Sequence, residues 1–421
     1  MGKTMKVVSV AAVLMFSLLA RAEGQISLDE CIRLAREHYP QAKEMLLADK
    51  TEQSDLKINR QKWAPQLVLN GKASYQSEVV EMPFDFNGYD FDISNYQYSL
   101  TADVDQMIWD GGETQNKKRQ ISADADVKRR QLDVTLYNLN DRVENCYLSV
   151  LLLDRQLAQK EILMQSLLRN RKEVEACLES GVAYKSDLDI VEVNILDCEQ
   201  SVAELKNDRQ AYVAILELLT GRSFDGVEFA EPSTSVGDDD MVVRRPELTL
   251  YDAQAEQLKL QREGLQARLS PKFNFYLQGG LGKPGLNMLK DEIRPYYVAG
   301  IKMQWNFGAL YSRKNDIRKM EIQQENIEYE RETFLLNTSL DVTEQMNSIR
   351  KIKDALGKDS EIIRLRERIR QAGEEQYRSG VIKMTDLMTM IDDEHNARVS
   401  ESLHQVQLMK AVRKLKNIVG E

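Results

Sequence analysis

Ser180-Gly181-Val182-Ala183-Tyr184-Lys185-Ser186-Asp187-Leu188 reappears 199 residues later as Ser379-Gly380-Val381-Ile382-Lys383-Met384-Thr385-Asp386-Leu387. Each copy lies between two long, highly charged runs that read as helices. Glycine suits the left-handed residue that ends a helix. Ser186-Asp187 and Thr385-Asp386 supply short side-chain oxygens of the kind that cap a helix start. Each stretch therefore reads as the tight turn of a helical hairpin, made twice. A repeat at long period decides the architecture before any local reading does.

Working outward, other landmarks pair at similar offsets. Pro40 matches Pro246 and Pro65 matches Pro271, Gly111 matches Gly308, and Leu219-Thr220-Gly221 matches Ile418-Val419-Gly420. The chain reads as a duplication of helix, strand, loop, strand, very long helix, turn and helix. The first copy spans 23–225, with strands about 66–76 and 96–109, a long helix about 112–178 and a return helix about 186–220. Short helices over Leu28–Tyr39 and Gln41–Trp63 precede its strands. A linker occupies 226–245. The second copy spans 246–421, with strands about 272–281 and 296–307, a long helix about 309–377 and a return helix about 385–419.

The N-terminus gives an address. Lys3 and Lys6 precede an apolar core from Val7 to Leu19, followed by Ala20-Arg21-Ala22. This is the pattern of a secretory signal peptide over 1–22, its core too short to span a bilayer. Cleavage would leave Glu23, so lipidation at an N-terminal Cys is not expected. Removing Lys3, Lys6 and Arg21 takes the formal charge from −10 to −13. So acidic a chain is poorly suited to nucleic acid, whose phosphates demand Lys and Arg. An exported chain has access to disulfides. Cys177 sits near the hairpin tip and Cys198 well back from it, a mismatch that disfavours a bond between them. Cys31, Cys146, Cys177 and Cys198 read as small apolar residues within helices.

Four segments alternate with period two, the signature of strands. Leu67, Leu69, Gly71, Ala73 and Tyr75 form one apolar side, and Tyr96, Tyr98, Leu100, Ala102 and Val104 another. Phe273, Phe275, Leu277, Gly279 and Leu281 follow, then Tyr297, Ala299, Ile301, Met303, Trp305 and Phe307. Lengths near ten with aromatic ends fit outer-membrane strands, apolar toward lipid and polar toward a lumen. On that reading Asp103, Asp105 and Lys302 face the lumen, which would favour cations. A small periplasmic β-domain packed on helices gives the same alternation. The loop Ser77–Asn95, with Met82–Asp90 at its centre, is acidic and aromatic, as an exposed surface loop would be. Four strands cannot close a barrel, and open edges are not tolerated in lipid. Lipid-facing strands therefore require subunits to pool them.

From Glu113 to Leu178 there is neither Pro nor Gly. Leu132, Leu136, Leu139, Val143, Cys146, Val150, Leu153 and Leu157 step by four and three, as do Leu188, Val191, Ile195, Cys198, Val202, Leu205, Arg209, Tyr212, Leu216 and Leu219. That is a coiled-coil seam. In the second copy Gly357 and Gly373 interrupt the pattern, which suggests a hairpin that bends more. Heptads alone fit a self-contained coiled coil equally well, and a soluble periplasmic scaffold or adaptor is the competing reading.

Catalytic and metal signatures are missing. His38, His395 and His404 have no zinc spacing, and no CxxC, nucleophile elbow or phosphate loop occurs. Asp238-Asp239-Asp240 reads as a solvated run, and Asp392-Asp393-Glu394-His395 as a polar helix face. No cofactor, metal or catalytic residue is expected.

Taken together, Ile26-Ser27-Leu28-Asp29-Glu30-Cys31-Ile32 with Tyr39-Pro40, Trp109-Asp110-Gly111-Gly112, Arg245-Pro246-Glu247-Leu248 and the two turns resemble the TolC-type outer-membrane efflux protein family over nearly the whole mature chain. The resemblance implies a mainly α fold with β: a homotrimer sharing a twelve-stranded outer-membrane β-barrel, continued by a periplasmic α-helical barrel. It implies a passive duct in a tripartite efflux or type I secretion-like system, not an enzyme. A periplasmic adaptor (membrane fusion) protein and an inner-membrane transporter of ABC or RND type would be its partners. By position, the adaptor-docking tip would be Gly181, Ser186, Asp187, Leu188, Gly380, Thr385, Asp386 and Leu387. Glu374 and Glu375 are candidates for an acidic gate.

Overall fold

The computed structural model describes residues 24–79, 94–181, 183–235, 237, 242–288 and 290–420. The signal peptide, Met82–Asp90, Val182 and Asp238–Asp240 lie outside the described residues. In chain order the elements are α1 Leu28–His38, α2 Ala42–Gln61, β1 Gln66–Tyr75, β2 Tyr96–Trp109, α3 Glu113–Glu179 and α4 Lys185–Thr220. After them come α5 Pro246–Ala267, β3 Lys272–Lys283, β4 Arg294–Gln304, α6 Ala309–Arg378 and α7 Met384–Val419. The order helix, strand, strand, long helix, helix thus occurs twice. Two compact units cut across it: described residues within Met1–Glu44, Leu132–Pro246 and Thr333–Glu421 form one, and Met45–Gln131 with Glu247–Glu332 the other.

The second of these units holds the sheet, antiparallel throughout in the order β1-β2-β3-β4. Its register puts Leu67, Val104, Leu277 and Ala299 in one cross-strand row, and Leu69, Ala102, Gly279 and Tyr297 in the next. The apolar sides expected from the alternation therefore share one face. That face is bare: Leu67 is 72% exposed, Leu69 71% and Tyr297 77%. Among the described residues β1 and β4 each have one strand neighbour, so both outer edges are unpaired. Ile108 is the extra residue of a bulge between Met107 and Trp109. β4 ends at Gln304, so Trp305 and Phe307 lie past the strand, where their rings stack with centroids 4.7 Å apart. Such aromatic ends are typical of outer-membrane strands.

The turn from β2 into α3 explains Trp109-Asp110-Gly111-Gly112. Asp110 is buried, and its carboxylate accepts the amides of Gly112 (2.9 Å) and Thr114 (2.6 Å), tying down the helix start. Gly111 has φ +70°, and a Cβ there would run into Ser270. Before α6, the Asn306 side chain accepts the amide of Gly308 at 3.0 Å. Asn306 thus does what Asp110 does, so Gly308 corresponds to Gly112, one residue away from the Gly111 expected.

The other unit has three apolar clusters. Ile26, Leu28, Cys31 and Ile32 pack with Val143, Tyr147 and Val150 of α3, Leu216 and Leu219 of α4, and Phe224 and Phe229. Tyr147 is wholly buried, and its hydroxyl lies 2.7 Å from the carbonyls of both Ile26 and Ala230. Here α3 buries Leu148 and Leu151 as well as its seam, because α1 and the 224–229 segment cover a second face. The seam of α4 is buried at Val191, Ile195 and Cys198 and again at Leu216 and Leu219, but Tyr212 is exposed. Ile349 of α6 packs with Val412 and Leu415 of α7. Gly357 and Gly373 do not interrupt α6, which runs unbroken for 70 residues. Gly373 is buried where Met390 of α7 occupies the space of its missing Cβ. All four cysteines are free, three buried and Cys177 half-buried.

Candidate functional site

The two repeated turns are built alike. Gly181 has φ +74° and Gly380 +72°, with no atom near the position of an added Cβ. Around Gly380, the amide of Val381 donates to the Gln376 carbonyl (2.8 Å) and that of Gly380 to Tyr377 (2.9 Å). This pair of bonds is the Schellman ending of a helix. At the first turn the Gly181 amide donates to Leu178 (3.0 Å). Ser180 and Ser379 both return their hydroxyls to the carbonyl four residues earlier.

Capping differs from the sequence expectation. The residues before α4 and α7 are Tyr184 and Lys383, so Ser186 and Thr385 lie within the first helical turn and do not cap it. Asp187 and Asp386 reach back instead, accepting the amides of Tyr184 (3.0 Å) and Lys383 (3.2 Å). Leu387 is only 2% exposed and packs with Met384, Met388 and Ile391 against Leu163, Leu167 and Val191. It belongs to a core joining both turns, whereas its counterpart Leu188 is half-buried. Tyr184 and Val381, 78% and 71% exposed, are the outward apolar residues that the repeat did not single out.

Between the turns lies a groove of about 470 Å³, lined among others by Cys177, Tyr184, Asp187, Tyr377, Arg378 and Lys383. Burial pushes the Tyr377 phenol up to about 12, with Asp187 and Cys177 adding to the effect. The gate candidates are both engaged. Glu374 pairs with Arg370, whose Nε also meets Glu394 of α7 at 2.5 Å. Glu375 meets Arg378 at 3.0 Å, and Arg378 reaches Glu173 of α3 at 2.8 Å. Sequence reasoning did not single out Arg370, Arg378 or Glu173, and it read Glu394 as part of a polar helix face, whereas Glu394 is buried against Arg370. The signal was the step of four along α6 through Arg366, Arg370, Glu374 and Arg378, which keeps these groups on one helix face.

On the sheet, Asp103, Asp105 and Lys302 do share the polar face. Asp103 accepts from Asn70 (2.5 Å), Gln278 (2.6 Å) and Thr101 (3.2 Å). Asp105 accepts from Asn274 (2.5 Å) and meets Lys302 at 3.4 Å. Tyr276 covers Gly300 on this side, in space that any side chain at 300 would need. No group of residues suited to holding a metal ion occurs among the described residues. No described helix is long and apolar enough to cross a membrane.

This fold is that of outer-membrane channels. The chain is similar to VceC from Vibrio cholerae (14% identity, 93% of this chain and 96% of that one, TM-score 0.69). It is also similar to the CmeC channel of Campylobacter jejuni (12%, 93% and 85%, TM-score 0.65) and the MtrE channel of Neisseria gonorrhoeae (15%, 93% and 88%, TM-score 0.65). At such identities the likeness establishes the fold. No curated protein matches the sequence. Residues 31–222 match the model of the family described as "Outer membrane efflux protein". The matched family model and the fold are those of efflux channels of the outer membrane, which are not enzymes.

Proposed function

We propose that this chain is the outer-membrane duct of a tripartite efflux or type I secretion-like system, working as a homotrimer. One observation carries the reading: a four-stranded sheet with a bare apolar face and two unpaired edges. Strand edges are excluded from lipid, and four strands cannot close. Pairing β1 of one copy with β4 of the next in a ring of three gives twelve strands with none left open. The apolar face then meets lipid, and the face carrying Asp103, Asp105 and Lys302 lines water. Duplication of one helix–strand–strand–helix–helix unit, copies 23–225 and 246–421 joined by 226–245, accounts for the recurring element order. Export by the 1–22 signal peptide, without lipidation, brings the chain to the periplasmic side.

The long helices would continue the duct as a periplasmic α-helical barrel. The two turns would dock the adaptor at Gly181, Ser186, Asp187, Leu188, Gly380, Thr385 and Asp386, with Tyr184 and Val381 as the outward apolar contacts. Leu387 supports that surface from within. The adaptor would couple the duct to an inner-membrane transporter of ABC or RND type, and Glu374 and Glu375 would adjust the constriction through their arginine partners. Purified protein in planar bilayers should form pores that prefer cations, and unheated gels should show a trimer. A protein that fractionates as soluble and forms no pores would instead favour the periplasmic scaffold.

A further inference from the structure

We infer that Asp103 and Asp105 are the residues that set the register between β2 and β3, and so join the two halves of the chain into one sheet. The β2–β3 pairing has no turn to align it, because Trp109 and Lys272 are separated by the whole of α3, α4 and α5. No core aligns it either: among the described residues the apolar face is uncovered. Alternation forbids a slip of one residue, which would turn every side chain to the wrong face, but a slip of two leaves both faces correct. Glycines weaken the specification further, and β3 has Gly279, Gly280 and Gly282.

The two carboxylates resolve what the alternation leaves open. Asp103 sits directly opposite Gln278 and is bonded to it, while also holding Asn70 of β1. Asp105 reaches Asn274 of β3 and Lys302 of β4. The two acids thus tie all four strands. Sliding β3 by two in one direction puts Gly280, which has no donor side chain, opposite Asp103, and brings Gln278 opposite Asp105 while moving Asn274 and Lys302 away from it, so that one donor from β3 and β4 remains of three. Sliding it the other way puts Gln278 opposite Thr101. In the native register that place belongs to Gly280, where a Cβ would lie 2.6 Å from the Leu100 carbonyl and 2.9 Å from the Thr101 methyl. One slip loses donors and the other is sterically blocked.

The test uses cysteine pairs on the apolar face of the full-length chain in outer membranes, with Cys177→Ser to remove the half-buried thiol. Ala102→Cys with Gly279→Cys reports the native register, and nothing obstructs a side chain at 279. Ala102→Cys with Leu281→Cys reports the slip of two that sterics permit. On oxidation the parent should cross-link only 102 to 279. Adding Asp103→Ala with Asp105→Ala should produce the 102–281 cross-link, and exchanging the partners as Asp103→Asn with Gln278→Glu should restore the native pattern alone. Trimers of the double alanine variant that cross-link only 102 to 279 would overturn the inference. If the alanine variant does not reach the membrane, the exchange variant decides: its assembly supports the register role, and its absence overturns it. The inference rests on the membrane-sheet reading, but the cross-links do not depend on conduction. Native cross-links in a protein that forms no pore would count against the channel and leave the register assignment standing.

Discussion

Replacing Gly380 separates a turn that merely folds from one that also docks. At φ +72° an L-residue pays a left-handed penalty of about 1–2 kcal/mol. No atom lies within 4 Å of the new Cβ, so sterics add nothing, and the bonds from Val381 and Gly380 to Gln376 and Tyr377 can persist. A helix core of this extent should absorb that cost, since the turn is also held by Leu387, Met384 and Met388 packed across both hairpins. Gly380→Glu should therefore still yield trimers in the outer membrane. It places a carboxylate on the groove between the turns, and export of a cargo that depends on this channel should be lost. Gly380→Asn is the conformational control, because Asn tolerates the left-handed region and brings no charge; it should retain both trimers and export. The assays are unheated gels of outer-membrane fractions and cargo accumulation in the same cells. Normal export by the Glu variant would refute docking at this groove. A Glu variant that never assembles, beside an Asn variant that does, would show the turn to be structural only.

Leu387→Ala empties a site 2% exposed in the core shared by both turns and should cost about 2–5 kcal/mol, read as a lowered melting temperature; a loss below about 1 kcal/mol would contradict that packing. Asp386→Ala removes the bond to the Lys383 amide and should cost about 0.5–1.5 kcal/mol, with hydrogen exchange speeding only in the first turn of α7. Burial holds Glu144 above its ordinary value of 4.5, against the pull of Arg413. The folded chain therefore takes up this proton more readily than the unfolded one, and Glu144 adds stability as pH falls from neutral through its folded pKa toward 4.5. Glu144→Gln should flatten the pH dependence of melting over that window; an unchanged slope would contradict the assignment.

Elements carrying their own periodicity were legible in the sequence. The strands alternate because one face was to be apolar along its whole length, and α3 lacks any residue that would break it. Legibility failed where a residue's role depends on a partner far away in the chain. Gly373 reads as a helix breaker until Met390 is seen filling its missing side chain. The seam does not mark Tyr147, whose hydroxyl meets Ile26 and Ala230, 121 and 83 residues away. The spacing along α6 carries the pairing of Glu374 with Arg370 and of Glu375 with Arg378, but the further links to Glu394 and Glu173 follow only from which face of α6 meets α7 and α3. Offsets between repeats misplaced Gly308 by one residue, because a glycine was matched to a glycine while the shared chemistry was the carboxylate or amide two residues before it.

The repeated turn changes meaning once its members are assigned. Ser returns its hydroxyl to the preceding helix, Gly supplies the left-handed angle and Asp caps the following helix, in both copies. A shared pattern through these three positions is what any two hairpins of this geometry would need, so the likeness of the copies is not itself evidence of a docking site. The positions without such a task are Tyr184 against Lys383, Ser186 against Thr385, and Val381, all exposed. At the first of these the copies differ, one aromatic and one cationic. A partner gripping both turns therefore meets two unlike surfaces on a shared scaffold. Any selectivity for that partner must come from these exposed residues and the groove they border, because the chemistry shared by the two turns is already used in making them.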